Sequence, residues 1–364
     1  MTGAAAARAA RPPSGGALEV APGVLWVRLP LPFALDHVNV WLLADGDGWT
    51  LVDTGHDDEA TRAAWERIEA DVLGGRPVRR VIATHHHPDH LGLSGWMARR
   101  WRVELWTTRT EWLYARAFSL RPLSEIRAAT REYYRRAGLP TSHLAALVEC
   151  CRSYPESVSV PPSFRRLHAG EELLVGEVRW RVVVGGGHAP EHACLLAPEQ
   201  GLFISGDQVL PHITPNVSIW PIEPEEDPLS EFLRTLDALR ALPGDPLVLP
   251  SHGAPFSGLG RRCQELAVHH RARLDAVLAA CDRPRTASEV MGVLFDRPLD
   301  PHQTTFAIGE ALAHLNHLAA AGQVRRERRA RGADRWVRTV REVAGGERPM
   351  GDGPTRKRGR ARQR

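Results

Sequence analysis

Apolar and polar positions change rhythm several times along the chain, and each change predicts an element. From Leu18 onward the pattern is one of short β-like runs at residues 23–29, 38–44 and 49–53. The last two are joined by Asp45-Gly46-Asp47-Gly48, a turn composition that predicts a hairpin. Residues 57–72 have helical spacing with Asp57 and Asp58 at their start, and residues 78–83 read as a fresh strand ending at Thr84. A helix near 91–100 and a strand near 102–106 follow. Residues 110–148 read as helices broken at Pro122 and at Gly138-Leu139-Pro140. A second strand-rich set covers 172–175, 178–184, 193–197, 202–205 and 247–250, with helices at 228–242 and 260–281. Two β-rich halves with helices outside them predict an α/β fold, an αββα sandwich spanning residues 17–282.

At Asp282–Pro284 the rhythm changes again. Two helices (286–294 and 304–321) precede two short strands (324–328 and 336–339) around Arg331-Gly332-Ala333-Asp334, the order of a winged helix, over residues 283–343. Residues 1–16 and 344–364 are rich in Ala, Arg, Pro and Gly with no apolar period, and are expected to be a floppy leader and a disordered tail.

Composition sharpens this picture at three points. The 364 residues are 43% hydrophobic and 25% charged, which excludes a disordered, collagenous or coiled-coil chain, and no apolar run is long enough to span a membrane. Net charge is +4 and the pI is near 9.0, a balance that by itself hints at nucleic acid. Its location removes most of that hint, because residues 283–364 hold 18 Arg/Lys against 9 Asp/Glu, leaving residues 1–282 at −5. Five scattered cysteines (Cys150, Cys151, Cys194, Cys263 and Cys281) and no secretory signal pattern lead to the expectation of a reducing cytoplasm.

The chemistry is concentrated in Thr84-His85-His86-His87-Pro88-Asp89-His90, a loop between a predicted strand and a predicted helix. Alternation sends His85 and His87 the same way, while the turn at Pro88 lets Asp89 and His90 face a point nearby. That geometry suits two neighbouring metals, and the imidazole and carboxylate mix favours zinc, with iron or manganese as alternatives. Four further residues stand at strand ends beside Gly or Ser: Asp53 (Asp53-Thr54-Gly55), His188 (Gly187-His188), Asp207 (Gly206-Asp207) and His252 (Ser251-His252-Gly253). Small neighbours let the backbone turn sharply there.

This ordered set resembles the metallo-β-lactamase superfamily of hydrolases over roughly residues 18–282. The resemblance implies one metal held by His85, His87 and His188, a second held by Asp89, His90 and His252, and Asp207 bridging both. Asp53 is similar to the family's first aspartate, which supports the site from behind the ligands; His86 has no ligand counterpart. The implied reaction is hydrolysis by a metal-bridging hydroxide, with Asp89 or Asp207 passing a proton to the leaving group. His87 stands where the oxygen-reducing di-iron branch has Glu, which argues against that chemistry. Glu191 and His192 follow His188 closely and are candidates for substrate contact.

The motifs resemble those of glyoxalase-II-like, thioester-cleaving and lactone-cleaving members, whereas a hydrolase followed by a winged helix resembles the lactamase-β-like-2 group, some of which cut RNA. A ribonuclease needs basic surface near its metals, and the catalytic region is acidic. A small ester, thioester or lactone substrate is therefore favoured over RNA. Residues 110–148 are a candidate lid, with Trp112, Leu113, Tyr114, Phe118, Leu120, Tyr133, Tyr134 and Leu139 either lining an acyl pocket or simply packing on the sheet. A mononuclear-iron sulfur dioxygenase is a further alternative. DNA reading by the arginine-rich winged helix is the non-enzymatic one, set against a role for that unit as a cap or homodimer element.

Overall fold

The computed structural model describes residues 11–339, apart from residues 14, 34, 151 and 152. Most of the predicted leader, the tail at 344–364 and the last four residues of the 283–343 unit lie outside the described residues.

Seven strands form the first sheet in simple sequential order: β1 (Ala17–Ala21), β2 (Val24–Pro30), β3 (His37–Asp45), β4 (Gly48–Val52), β5 (Val78–Ile82), β6 (Leu105–Thr107) and β7 (Arg165–Arg166). The strands from β1 to β4 pair antiparallel and those from β4 to β7 parallel. The second sheet contains β8 (Glu172–Val175), β9 (Val178–Gly185), β10 (His192–Ala197), β11 (Leu202–Gly206) and β12 (Leu247–Pro250). Its spatial order is β12-β11-β10-β9-β8. Period-two alternation explains the stacking. In β2 and β3, Val24, Trp26, Trp41 and Leu43 enter a core with Trp180, Val182, Leu195 and Ile204 of the second sheet. Their neighbours Val27, Leu29, Val38, Val40 and Leu42 face the opposite way, onto α1 (Glu59–Asp71) and its residues Trp65 and Ile68. The outer face of the second sheet, with Cys194, Leu196, Phe203 and Val248, is covered by two later helices carrying Phe232, Leu236, Cys263 and Leu266. Each sheet is thus apolar on both faces, and the layers are helix, sheet, sheet, helix, as the pattern predicts.

Short α2 (Pro88–Leu91) and α3 (Ser94–Trp101) follow β5; α4 (Arg109–Leu120), α5 (Leu123–Ala137), α6 (Thr141–Cys150) and α7 (Ser153–Ser157) separate β6 from β7. The two helices over the second sheet are α8 (Pro228–Arg240), started by Asp227 accepting from the Ser230 N–H at 3.0 Å, and α9 (Leu259–Ala280). The C-terminal part is α10 (Ala287–Leu294), α11 (Pro301–Ala320) and the antiparallel hairpin β13 (Val324–Glu327) and β14 (Arg335–Arg338), in the predicted order of helices followed by hairpin. Its core is shared: Tyr134, Ala137, Leu139, Leu144 and Leu147 of the α5–α6 region pack with Val277, Ile308, Ala311, Leu315 and Trp336.

That shared core redistributes the residues of the candidate lid. Tyr134 and Leu139 are core, Trp112 stacks on Phe164 with centroids 4.7 Å apart, and Leu113 and Leu120 are exposed. Tyr114 lines a cavity beside the site described below. Cys194, Cys263 and Cys281 are free and buried. Among the described residues no helix is long and apolar enough to cross a membrane.

Candidate metal centre

Asp53 and the seven predicted ligands follow C-terminal strand ends, so the layering brings them to one edge of the sandwich: Asp53 after β4, His85 to His90 after β5, His188 after β9, Asp207 after β11 and His252 after β12. The backbone turns there are tight. Asp53 has φ 67°, one of two positive-φ non-glycine residues among those described. It is held there because its carboxylate accepts from the Thr84 N–H (2.7 Å) and the Thr84 hydroxyl (3.0 Å). Gly206 has φ 52°, and a Cβ on it would lie 2.4 Å from Cε1 of His192.

The structure brings the seven predicted ligands together. His85 Nε2 is 3.0 Å from His87 Nδ1 and 3.2 Å from His188 Nε2. His90 Nε2 is 3.5 Å from Asp89 Oδ2 and 3.6 Å from Asp207 Oδ2; His252 Nε2 is 3.4 Å from Asp89 Oδ2 and 3.5 Å from Asp207 Oδ1. Asp207 Oδ2 also lies 3.5 Å from His188 Nε2, so this one carboxylate reaches both halves of the cluster.

Four histidines are oriented through their other ring nitrogen. His90 Nδ1 donates to Asp53 (2.8 Å), His188 Nδ1 to the Asn216 carbonyl (2.8 Å) and His252 Nδ1 to the His37 carbonyl (2.8 Å). His85 Nδ1 donates to the Thr84 hydroxyl (3.0 Å), which itself donates to Asp53. With Nδ1 carrying the proton, each Nε2 presents a lone pair to the common centre.

Electrostatics sort the cluster in the same way. Burial, with neighbouring imidazoles, holds His85 and His87 well below the ordinary histidine range, and burial also lowers His188. Burial opposes charge on Asp89 and Asp207, yet His90 and His252 outweigh it and hold both carboxyls well below their usual range. Burial likewise opposes charge on His252, but Asp207 and Asp89 raise it to about 10; His90 is raised by the same two aspartates with Asp53. His85, His87 and His188 are thus held neutral and Asp89 and Asp207 ionised, the states in which these groups bind cations, whereas His90 and His252 hold a second proton against the two aspartates that a bound cation would displace.

The residues fit metal. His87 Nε2, His90 Nε2 and Asp207 Oδ1 are buried with no hydrogen-bond partner, a costly state unless a cation completes it. The sets His85/His87/His188, His85/His90/Asp207 and Asp89/His90/His252 each place their ligand atoms within 4.8 Å of one another.

Glu191 and His192 do not join the ligands at the centre. Glu191 Oε2 accepts from the Thr110 N–H at 2.7 Å, capping α4, and its backbone carbonyl accepts from the Thr108 hydroxyl. His192 is fully buried beneath His85, ring centroids 4.7 Å apart, and accepts the Asp207 N–H at Nε2 (3.1 Å). It therefore props two ligands and is closed to substrate, which corrects the expectation of substrate contact. Sequence reasoning missed Glu111, fully buried on α4, which accepts from the His86 N–H (2.9 Å), His86 Nδ1 (2.5 Å) and the Glu191 N–H (2.7 Å). A single glutamate in a helical first turn carries no signal of that role. The Asn216 and His37 carbonyls were equally illegible, being backbone atoms brought in by the fold.

Comparison with known proteins agrees with this fold. The Metallo-beta-lactamase superfamily profile matches residues 34–252, and that of the Metallo-beta-lactamase-like, C-terminal domain matches residues 274–339. The chain is 27% identical over 316 residues to a probable metallo-hydrolase of Bacillus subtilis, YqjP, covering 82% of this chain and 92% of the relative. Among solved structures, a beta-lactamase domain protein from Burkholderia ambifaria is 44% identical with a TM-score of 0.85, covering 91% of this chain and 96% of that one. A metallo-beta-lactamase family protein from Thermus thermophilus is 32% identical with a TM-score of 0.75, covering 88% and 100%.

Proposed function

We propose, from the premise that the chain belongs to the metallo-beta-lactamase superfamily and is one of its metallo-hydrolases, that it cleaves a small ester, thioester or lactone at a pair of zinc ions. His85, His87 and His188 would hold one ion, Asp89, His90 and His252 the other, and Asp207 both. Two such ions lower the pKa of a bound water toward neutrality and polarise a carbonyl oxygen. The protein's part is to orient the imidazoles, keep the carboxylates ionised and move a proton. Asp89, with its side chain 20% exposed against 10% for Asp207, is the better placed of the two to hand that proton to a leaving group.

One observation carries the choice of substrate. The cavity that opens on His188 is lined by Tyr114, Ile219, Trp220 and Ile222 together with the acidic side chains Glu223, Glu226 and Glu231. Burial raises the Glu231 pKa, and Glu226, Asp227 and Glu223 push it the same way. Such a wall repels a phosphodiester backbone and accepts an apolar acyl group. The described residues of the basic C-terminal unit support the same preference. Only the terminal residues Pro301 and Ala320 of α11 are exposed, so that helix has no free face for a major groove. Arg326 is paired with Asp334 and Glu225, and Arg328 with Glu225.

The test measures metal content and hydrolysis of acyl-thioesters, aryl esters, lactones and single-stranded RNA in parallel, with His87→Ala as control. Two zinc ions per chain and ester or thioester cleavage lost in His87→Ala are expected. RNA cleavage lost in the same variant, or a single iron per chain with oxygen consumption, would overturn the reading.

A further inference from the structure

Between β11 and α8 the chain runs through residues 211–227 without regular structure, and α11 follows that loop over much of its length. The Ser218 hydroxyl lies 3.1 Å from the Phe306 carbonyl and 2.7 Å from Asn216 Oδ1. The Ile219 N–H donates to the Gly309 carbonyl at 3.1 Å. Further along, Asn316 Nδ2 donates to the carbonyls of Pro224 (3.1 Å) and Glu226 (2.9 Å), and His317 Nδ1 is 3.2 Å from Asp227 Oδ1. On its other side the same loop offers the Asn216 carbonyl to His188 and lines the cavity with Ile219, Trp220, Ile222 and Glu223.

Gly309 makes this contact possible. Glycine is a poor helix former, yet it sits in the middle of a 20-residue helix. A Cβ there would lie 2.8 Å from Ser218 Cβ and 2.9 Å from the Ile219 carbonyl oxygen, so any side chain would push helix and loop apart. Asn316 is buried, and both its amide contacts go to carbonyls of the loop.

We infer that α11 is the template on which the His188-orienting, cavity-lining loop is held, and that Gly309 and Asn316 are positioning residues for the metal centre although neither is among its ligands. The inference rests on the reading of His188 as a metal ligand. It makes the C-terminal helices a working part of the site, acting through the tautomer and aim of one imidazole and through one wall of the substrate cavity.

The experiment uses the full chain with Gly309→Ala, Asn316→Leu and, as a control for general loosening of the C-terminal unit, Val290→Ala on α10. Hydrogen exchange of peptides covering 213–223 and zinc affinity by chelator competition are read for each. Gly309→Ala and Asn316→Leu are expected to speed loop exchange and weaken zinc binding by about ten-fold or more. Val290→Ala should lower the melting temperature with both readouts unchanged. Wild-type exchange and zinc affinity in Gly309→Ala and Asn316→Leu, or equal changes in Val290→Ala, would overturn the inference. Neither readout depends on the substrate, so a wild-type chain that binds zinc but cleaves no ester strikes the proposed function alone. A wild-type chain that binds no zinc sinks the ligand reading, and the exchange measurement still decides whether α11 templates the loop.

Discussion

Asp53→Asn tests the argument that buried partners fix the tautomers of the ligands. Asp53 is 1% exposed and its carboxylate accepts three hydrogen bonds, from the Thr84 N–H, the Thr84 hydroxyl and His90 Nδ1. Asparagine tolerates the positive φ and can still accept from the Thr84 N–H, so the backbone is preserved. Its amide nitrogen faces the other two donors. His90 can then satisfy it only by carrying its proton on Nε2, the atom that points at Asp89 and Asp207. A lost bond to a buried charged acceptor costs about 1.5–3 kcal/mol. Removing a group that orients a metal ligand weakens metal binding by about 10–100-fold, or roughly 1.4–2.8 kcal/mol. Zinc competition against a chromophoric chelator should show the loss at one of two sites, with the His85/His87/His188 site close to wild type. Guanidinium unfolding of metal-free protein should show a stability loss of about 1.5–3 kcal/mol. Two sites of wild-type affinity in Asp53→Asn would refute the reasoning.

Three further outcomes are expected. Gly206→Ala should destabilise the fold by at least about 1 kcal/mol and lower zinc stoichiometry, because its Cβ meets the His192 ring at 2.4 Å on a φ of 52°; chemical denaturation and metal analysis check this. Glu111→Gln should cost about 1–3 kcal/mol in unfolding experiments, since it turns an amide NH₂ toward donors that now meet a carboxylate, while hydrolysis falls only as the loop carrying His86 and Glu191 loosens. The third concerns pH. Burial, aided by neighbouring imidazoles, lowers His270 to about 2, and burial lowers His314 to about 4 despite its bond to the Glu310 carbonyl. Both are depressed below the ordinary value, so the unfolded chain takes up their protons first as pH falls. Their contribution is complete above about 6.5 and declines below it by up to about 1.4 kcal/mol per histidine per pH unit, until His314 itself titrates. Unfolding free energies at pH 7.5 and 5.5 should converge more for His314→Leu than for wild type, and equal slopes would disprove the assignment.

Most of the layering was legible in the sequence because it rests on local periodicity. The alternation in residues 24–29 and 38–43 specifies two apolar faces, and a sheet with two apolar faces must be covered on both sides. Among the elements that escaped, β1 is an edge strand with no fully buried residue to mark its alternation, and α2, β7 (two arginines paired in parallel to β6) and α7 have too few residues to carry a period. The ligands were legible for a different reason. Metal-binding side chains are chemically rare, and tight strand-end turns leave small residues beside them.

The sequence by itself determined which metal-binding types of side chain would gather at one edge of the sandwich, the strands that deliver them, and the acidic balance of the region that holds them. Tertiary structure alone decided what lies behind each ligand. That His192 lies beneath His85, that His188 finds its acceptor in Asn216, and that α11 is buried against the 211–227 loop all depend on contacts between segments about 15 to 110 residues apart. Local pattern carries no record of such contacts, because the partners are often backbone carbonyls or ring faces that any residue could supply once the chain has placed them there.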